Sequence, residues 1–237
     1  MNLKRSIVPL TAIAFLSVGC GSDTTGATAP NDAAKATAIT SSQTITSNQT
    51  GTDGGYFYSF WTNGNGSVRM TLDGSNGYSV QWSNAGDFTC GKGWRVGSGH
   101  TISYSGSYSN SGGGAFGVYG WTTNPLVEYY IVEGWGRGGS PAQGAHVGTV
   151  TSDGATYDIY KHQQVDQPSI QGTATFWQYI SVRQSQRTSG TITVQNHFNA
   201  WANLGMNLGS QNYQILLTEG WNGSGSASAK VSEGGGG

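Results

Sequence analysis

Short runs rich in aromatic and β-branched residues recur along this chain, and clusters of glycine, asparagine and serine separate them. Residues of a strand point alternately to its two faces, and glycine and asparagine favour the tight turns that join strands. This spacing is typical of an antiparallel β-sandwich. The clearest runs span 56–61, 78–82 and 101–104, and the clearest clusters span 63–66, 73–77 and 111–114.

The composition leaves little room for long surface helices, because charged residues make up only 10% of the chain. One segment nevertheless predicts a short helix. Asn196 is the predicted N-cap, and Phe198, Trp201 and Leu204 follow at three-residue steps. Gly205 marks the C-terminal stop. We expect this helix to pack its aromatic stripe on the outside of a sheet, with Trp201 in the core.

The first twenty residues are typical of an export signal. Lys4 and Arg5 form the charged start, and the mostly apolar run over 7–18 is too short to span a membrane. A small residue directly precedes Cys20, which resembles a bacterial lipoprotein cleavage site; ordinary signal cleavage nearby is the alternative. We therefore expect a secreted or extracytoplasmic protein, lipid-anchored to a bacterial membrane if Cys20 is modified.

The rest of the chain divides into three parts by composition. Residues 21–43 contain almost no large apolar groups and predict a flexible linker. Residues 44–232 carry the strand pattern and predict one folded domain. Residues 233–237 end in four glycines and predict a tail, or the start of a linker to a further module. Within the domain, Cys90 has no disulfide partner and is expected to be a small buried side chain.

The charge of the chain argues against some classes of partner. The formal net charge is −1, which gives no electrostatic footprint for nucleic acid or an anionic membrane. The four histidines have no metal-ligand spacing, and no nucleophile–His–Asp arrangement or phosphate loop stands out. We therefore expect an uncharged partner and no metal site built on the histidines.

Three glutamates lie in the predicted domain, and two of them fall mid-strand among apolar residues, where an unpaired charge is costly. Alternation puts Glu128 on one face of its strand with Tyr130, and Glu219 on one face of another strand with Tyr213. Such placement calls for a functional explanation. Glu133 follows its strand beside a glycine, and we expect it to be solvated.

Two carboxyl groups among aromatic side chains suit a sugar polymer. Aromatic faces stack on sugar rings, and glycoside hydrolysis needs two carboxyl groups flanking one bond. Gln178 shares a face with Phe176 and Ile180 on a third strand, from which it could hold a carboxylate by hydrogen bonding. The alternative is that the aromatic residues merely fill a sandwich core.

Over nearly all of 45–232, the sequence resembles the xylanases of glycoside hydrolase family 11. The resemblance implies a β-jelly-roll of two curved antiparallel sheets with one short α-helix packed outside, and makes 44–232 the catalytic domain. It implies retaining hydrolysis of internal β-1,4 bonds in xylan and xylo-oligosaccharides without metal or cofactor, and we expect a monomer. The matching motifs are YSFWTNG (58–64), GKGW (91–94), YGW (119–121), NPLVEYY (124–130), GTVTSDG (148–154), TYDIY (156–160), QPSI (167–170), SVRQ (181–184), GMNLG (205–209) and TEG (218–220).

By position, the resemblance assigns Glu128 as the nucleophile and Glu219 as the acid/base. Tyr119 and Tyr130 match tyrosines that hold the nucleophile or the reacting sugar, and Gln178 matches the glutamine beside the nucleophile. Substrate contacts are implied as well. They are the sugar-contacting Tyr213, the stacking Trp61 with Asn63 nearby, and Pro168 at the tip of the thumb, the hairpin that closes over the cleft.

Asp87 stands where the family carries Asn or Asp beside the acid/base, and Asp resembles the members with an acid optimum. Two carboxylates about 5–5.5 Å apart repel each other, so we expect Glu219 to stay protonated while Glu128 is ionised. Our hypothesis is that Asp87 and Glu219 share a proton and that catalysis peaks at acidic pH. An exposed loop aspartate is the alternative.

Three departures from the family pattern lie near the expected cleft. Gln164 stands where Arg is usual, Ile180 replaces a usual Trp, and the segment 136–141 lacks a usual Tyr. None of them removes a catalytic group. They bear on affinity, thumb motion and the detail of the subsites.

Other functions fit parts of the pattern. A non-catalytic carbohydrate-binding β-sandwich would share the aromatic face but would need no opposed carboxylates. A β-1,4-glucanase on a related jelly roll would have to admit the 6-hydroxymethyl group that xylose lacks. A structural adhesin on a lipid anchor is suggested only by the N-terminus. Sugar release from xylan that Glu128→Ala abolishes would separate an enzyme from a binding module.

Overall fold

A computed structural model describes residues 42–234, which form thirteen strands and one helix. The predicted signal peptide 1–20, the lipidation site Cys20 and most of the linker 21–43 lie outside the described residues. The strands are β1 Gln43–Ile45, β2 Gln49–Asp53, β3 Tyr56–Thr62, β4 Ser67–Leu72, β5 Gly77–Trp94, β6 Thr101–Asn110, β7 Ala115–Thr123, β8 Val127–Trp135, β9 Ala145–Ser152, β10 Ala155–Ser169, β11 Gly172–Arg183, β12 Ser189–Thr193 and β13 Ser210–Glu233, and the helix is α1 Val194–Asn203.

The predicted turn clusters fall between strands. Residues 63–66 join β3 to β4, 73–76 join β4 to β5, and 111–114 join β6 to β7. Gly74 has a φ of 73°, a left-handed conformation that glycine adopts without steric cost. The first described strand, β1, begins at Gln43, and the last, β13, ends at Glu233.

Two long strands, β5 and β13, run through both layers of the sandwich. Their outer halves pair with each other over 77–82 and 225–230, and their cleft halves pair over 87–94 and 214–221. A register shift near Gly223 marks the passage between the layers. The outer layer adds β1, β4, β6 and β12, and the cleft layer adds β2, β3, β7, β8, β11, β10 and β9.

This arrangement confirms the predicted two-sheet sandwich with one helix packed outside. Neighbouring strands are antiparallel with one exception within the described residues, the parallel pair β8 and β11. That pair arises because β9 and β10 lie beyond β11 at the edge of the cleft layer, so the chain returns to β8 from outside. The two antiparallel sheets of the prediction therefore contain one parallel contact.

The predicted alternation of β8 is confirmed. Val127, Tyr129 and Ile131 belong to the core between the layers, whereas Tyr130 and Val132 belong to a second cluster on the cleft face. A fully buried side chain of this size contributes about 1.5–3 kcal/mol. Both faces of this strand are therefore buried, and a charged group on either face needs compensating partners.

The helix begins two residues before its predicted N-cap. Thr193 occupies the N-cap without a side-chain hydrogen bond, and Val194 is the first helical residue. The prediction of Asn196 as the N-cap is therefore wrong, because packing of Val194 into the core outweighs the weak local preference. The Asn196 amide instead donates to the Ser152 hydroxyl at 3.0 Å.

Trp201 anchors the helix and is fully buried, as predicted. Its indole N–H donates to the Ser181 hydroxyl at 3.0 Å, on the face of β11 turned away from the cleft. Gly205 ends the helix with a φ of 69°, also as predicted. Cys90 is a fully buried thiol in the interlayer core, as expected. Within the described residues, no helix is long and apolar enough to cross a membrane.

Candidate active site

A cleft of about 980 Å³ lies on the exposed face of the cleft layer. Strands β3, β5, β7, β8, β11 and β13 each send side chains into it, so residues far apart in sequence meet there. The predicted residues that line it are Trp61, Asp87, Tyr119, Glu128, Tyr130, Pro168, Gln178, Tyr213 and Glu219.

Glu128 is 7% exposed and is held by neutral donors. The Tyr119 hydroxyl donates to Oε1 at 2.6 Å, and the Gln178 amide donates to Oε2 at 2.6 Å. The parallel pairing of β8 and β11 sets Gln178 directly beside Glu128. Burial raises the pKa of Glu128 above its usual value, and these hydrogen bonds act against that rise.

Glu219 is 6% exposed, and protein groups make few hydrogen bonds to its side chain. Its Oε2 atom has no hydrogen-bond partner among the described residues. Burial raises the pKa of Glu219 well above its usual value, and the charges of Asp87 and Glu128 raise it further. Glu219 is therefore the carboxyl group that retains its proton when Glu128 is ionised.

The Tyr130 hydroxyl lies between the two glutamates. It is 3.2 Å from Oε1 of Glu128 and 3.3 Å from Oε1 of Glu219. A hydroxyl has a single proton, so Tyr130 can donate to one carboxyl group only and must accept from the other. Both contacts are hydrogen bonds when Glu219 is protonated and Glu128 is ionised.

Asp87 faces the same cleft from β5. In the sheet register it lies opposite Trp221, and Thr89 lies opposite Glu219, so Asp87 is a diagonal neighbour of Glu219. Burial raises the pKa of Asp87 to about 6. Its Oδ1 atom has no hydrogen-bond partner among the described residues. The alternative of an exposed loop aspartate is therefore wrong.

Gln164 extends the hydrogen bonds around Glu128. Its amide donates to Oε1 of Gln178 at 3.2 Å, which leaves the Gln178 amide nitrogen turned to Glu128. An amide whose oxygen already accepts one hydrogen bond is fixed in orientation. Ile180, at the other departure, is fully buried in the cleft-face cluster.

The thumb is the hairpin formed by the ends of β10 and β11. A register shift between Gln164 and Gln167 bends β10 before Pro168, which lines the cleft. Asn63 is the predicted contact that does not reach the cleft lining. Its side-chain oxygen accepts from the backbone N–H of Asn65 at 3.0 Å and so closes the turn after β3.

Glu133 is fully buried, so the expectation that it is solvated is wrong. It lies on the opposite face of β8 from Glu128, between the layers. Tyr157 and Tyr104 donate to its two oxygens at 2.5 and 2.6 Å, and Arg187 donates to it as well. The local sequence could not predict this environment, because the partners of Glu133 come from three other parts of the chain.

Sequence reasoning did not single out several other cleft residues. Trp121 donates from its indole N–H to the Tyr119 hydroxyl at 2.7 Å, and alternation from Tyr119 could have identified it. Phe57 could have been found in the same way from Trp61. Arg95 follows the end of β5 and had no such signal.

The chain is similar to known glycoside hydrolases over most of its length. A family model described as Glycosyl hydrolases family 11 matches residues 53–230. Endo-1,4-β-xylanase 2 of Rhizopus oryzae is 61% identical over 188 residues, 79% of this chain and 87% of that protein. An ethylene-inducing xylanase of Penicillium digitatum is 59% identical, with the same coverage of each chain. A solved structure from a comparison of two major Trichoderma reesei endo-1,4-β-xylanases gives a TM-score of 0.65 at 52% identity, covering 80% of this chain and 98% of that one.

Proposed function

Because this chain belongs to glycosyl hydrolases family 11, we propose that it is a retaining endo-1,4-β-xylanase that cuts internal bonds of xylan. Similar proteins named as endo-1,4-β-xylanases support the substrate class. In this proposal Glu128 is the nucleophile and Glu219 is the acid/base. Tyr119, Tyr130 and Gln178 hold the nucleophile in place.

The observation that carries the proposal is the Tyr130 hydroxyl shared by the two glutamates. The Oε1 atoms of Glu128 and Glu219 lie 3.2 and 3.3 Å from the same hydroxyl. They are therefore at most about 6.5 Å apart, which is the shortest spacing found in inverting enzymes. A water molecule as nucleophile needs at least that spacing, whereas direct attack by a carboxylate needs only about 5–5.5 Å. The spacing therefore favours retention of configuration.

The reaction then proceeds in two displacements. Glu219 gives its proton to the leaving sugar oxygen while Glu128 bonds to the anomeric carbon, and the glycosidic bond breaks. The negative charge on Glu128 is lost in the glycosyl ester. Glu219, now ionised, takes a proton from water, which attacks the same carbon and releases Glu128.

We further propose that Asp87 sets the pH range of catalysis. At acidic pH both Asp87 and Glu219 are protonated. When Asp87 ionises near its pKa of about 6, its charge raises the pKa of Glu219, which then gives up its proton less readily to the leaving group. Activity should therefore fall as pH rises through the titration of this pair, which gives an acidic optimum.

The remaining predicted contacts complete the proposal. Trp61 and Tyr213 stack on or bond to sugar units along the cleft, with Asn63 nearby, and Pro168 closes over them from the thumb. The partners are xylan and xylo-oligosaccharides, and the enzyme is a monomer. Export would bring it to its polymer, and a lipid anchor at Cys20 stays a prediction.

The stereochemistry of the first product tests the proposal. We expect proton NMR of xylan digestion to show the β-anomer first and the α-anomer only by later mutarotation. Glu128→Gln is the matched control, because it keeps the shape of the side chain and removes the nucleophile. Initial release of the α-anomer would overturn the retaining mechanism, and no sugar release by the unmodified enzyme would overturn the activity.

A further inference from the structure

Among the described residues that line the cleft, Arg95 is the one cationic side chain. It lies directly after the end of β5 and is exposed. Its guanidinium carbon is 4.8 Å from the centroid of the Phe57 ring, a cation–π contact that supports the side chain from one side. Within the described residues, no carboxylate comes within 4.0 Å of its nitrogens. The charge of Arg95 is thus positioned but not neutralised.

A row of aromatic contacts connects Arg95 to the nucleophile. The Phe57 ring is 5.4 Å from that of Tyr213, and the Tyr213 ring is 6.1 Å from that of Tyr119. Tyr119 donates to Glu128. A sugar chain bound along this row would therefore pass Arg95 at some distance from the bond that is cut.

The charges in the cleft are unevenly distributed. Three carboxyl groups line the cleft around the reacting centre, those of Asp87, Glu128 and Glu219. When ionised, these groups repel an acidic group on the substrate, whereas Arg95 attracts one. The guanidinium fork matches the two oxygens of a carboxylate, which a neutral hydroxyl does not do equally well.

We propose that Arg95 binds the carboxylate of an acidic sugar substituent, a hexuronate carried by the polymer. It thereby directs cleavage to bonds at a fixed offset from that substituent. This inference rests on the proposed function, since it assumes that the cleft binds a sugar polymer. It adds a specificity for charged branches that the catalytic residues do not supply.

The test compares kcat/KM on hexuronate-substituted and unsubstituted xylo-oligosaccharides of equal length for the unmodified enzyme and Arg95→Gln. We expect Arg95→Gln to lower the substituted rate by roughly three- to five-fold, the scale of an exposed ion pair. The unsubstituted rate should stay within about two-fold. Arg69→Gln removes the same charge from an exposed residue outside this cleft and should leave the ratio of the two rates unchanged.

Two further readouts keep this test separate from that of the proposed function. Calorimetric binding of both oligosaccharides to Glu219→Gln, with and without Arg95→Gln, measures the preference without turnover. The preference should also weaken as salt is added. An unchanged ratio of rates and affinities in Arg95→Gln, or equal loss on both substrates, would overturn the role of Arg95. Loss of hydrolysis of the unsubstituted chain by the unmodified enzyme would overturn the proposed function alone.

Discussion

Glu128 and Glu133 lie on the same strand, and both are buried, but on opposite faces of it. Glu133, between the layers, is compensated by Arg187 and two tyrosine hydroxyls. Glu128, on the cleft face, is held by two hydroxyls and one amide, all of them neutral. Two positions five residues apart on one strand thus show two different ways to stabilise a buried carboxylate.

The difference lies in what the partners leave free. A cation in contact neutralises a carboxylate and fixes it, which suits a purely structural role. Neutral donors orient the carboxylate but leave its charge in place, so it can still attack a carbon atom. Burial raises the pKa of Glu128, and the neutral donors hold that rise in check. The two environments predict opposite consequences for the same substitution.

The largest expected effect is on turnover. Glu128→Gln should lower kcat on xylan by about four orders of magnitude or more, since it removes the proposed nucleophile. Its melting temperature should stay close to that of the unmodified enzyme. Glu133→Gln should leave the kcat of the folded enzyme within a few-fold. Comparable kcat values for the two variants would break the comparison.

The second effect is on stability and falls on the other glutamate. Glu133→Gln leaves Arg187 without its anionic partner, and we expect the free energy of unfolding to fall by about 3 kcal/mol. Urea unfolding followed by tryptophan fluorescence measures this loss. Glu128→Gln provides the matched control on the same strand. A smaller loss for Glu133→Gln than for Glu128→Gln would contradict the assignment of the structural role.

The third effect is a shift in pH dependence. Asp87→Asn removes the titration near a pKa of about 6 and leaves Glu219, whose pKa burial raises well above its usual value, as the sole acid of the pair. The basic limb of the kcat/KM profile should move upward by about one pH unit or more. Asp158→Asn, outside the cleft, should not move it. An unmoved profile in Asp87→Asn would exclude Asp87 from setting the pH range.

The smallest effect concerns the support of the nucleophile. Gln164→Leu removes the donor that fixes the Gln178 amide, which weakens the hydrogen bond from Gln178 to Glu128. The pKa of Glu128 should then rise, and since Glu128 must be ionised, the acid limb should move upward and kcat/KM at low pH should fall by about three-fold. Gln163→Leu, the neighbouring residue on the opposite face, is the control. Identical acid limbs in both variants would show that Gln164 does not affect the pKa of Glu128.

The sequence pattern predicted the faces of β8 and the end of the helix correctly, because neighbouring residues determine both. Alternation gave the correct faces of β8, because its side chains meet a buried layer on both sides. Gly205 ended the helix because only a residue tolerant of left-handed backbone fits there. The start of the helix escaped prediction, because burial of Val194 decided it and the capping preference of Asn196 did not.

In the site, too, contacts between residues close in sequence were predicted, and contacts between distant residues were not. Alternation placed Glu128 beside Tyr130 and Glu219 beside Tyr213, but it could not reveal that one hydroxyl lies between the two glutamates. Glu133 was misjudged because its partner Arg187 lies 54 residues away. A carboxylate at a strand end beside glycine looks solvated until the residues that cover it are known.

The continuity of β5 and β13 through both layers has a consequence for motion. The shared strands β5 and β13 tie the β3 side of the cleft covalently to the outer layer. Strands β8 to β11 have no partner in the outer layer. We expect any widening of the cleft to be confined to the side formed by β8 to β11. A long polymer would then enter by displacement of that side, while the β3 side keeps its position.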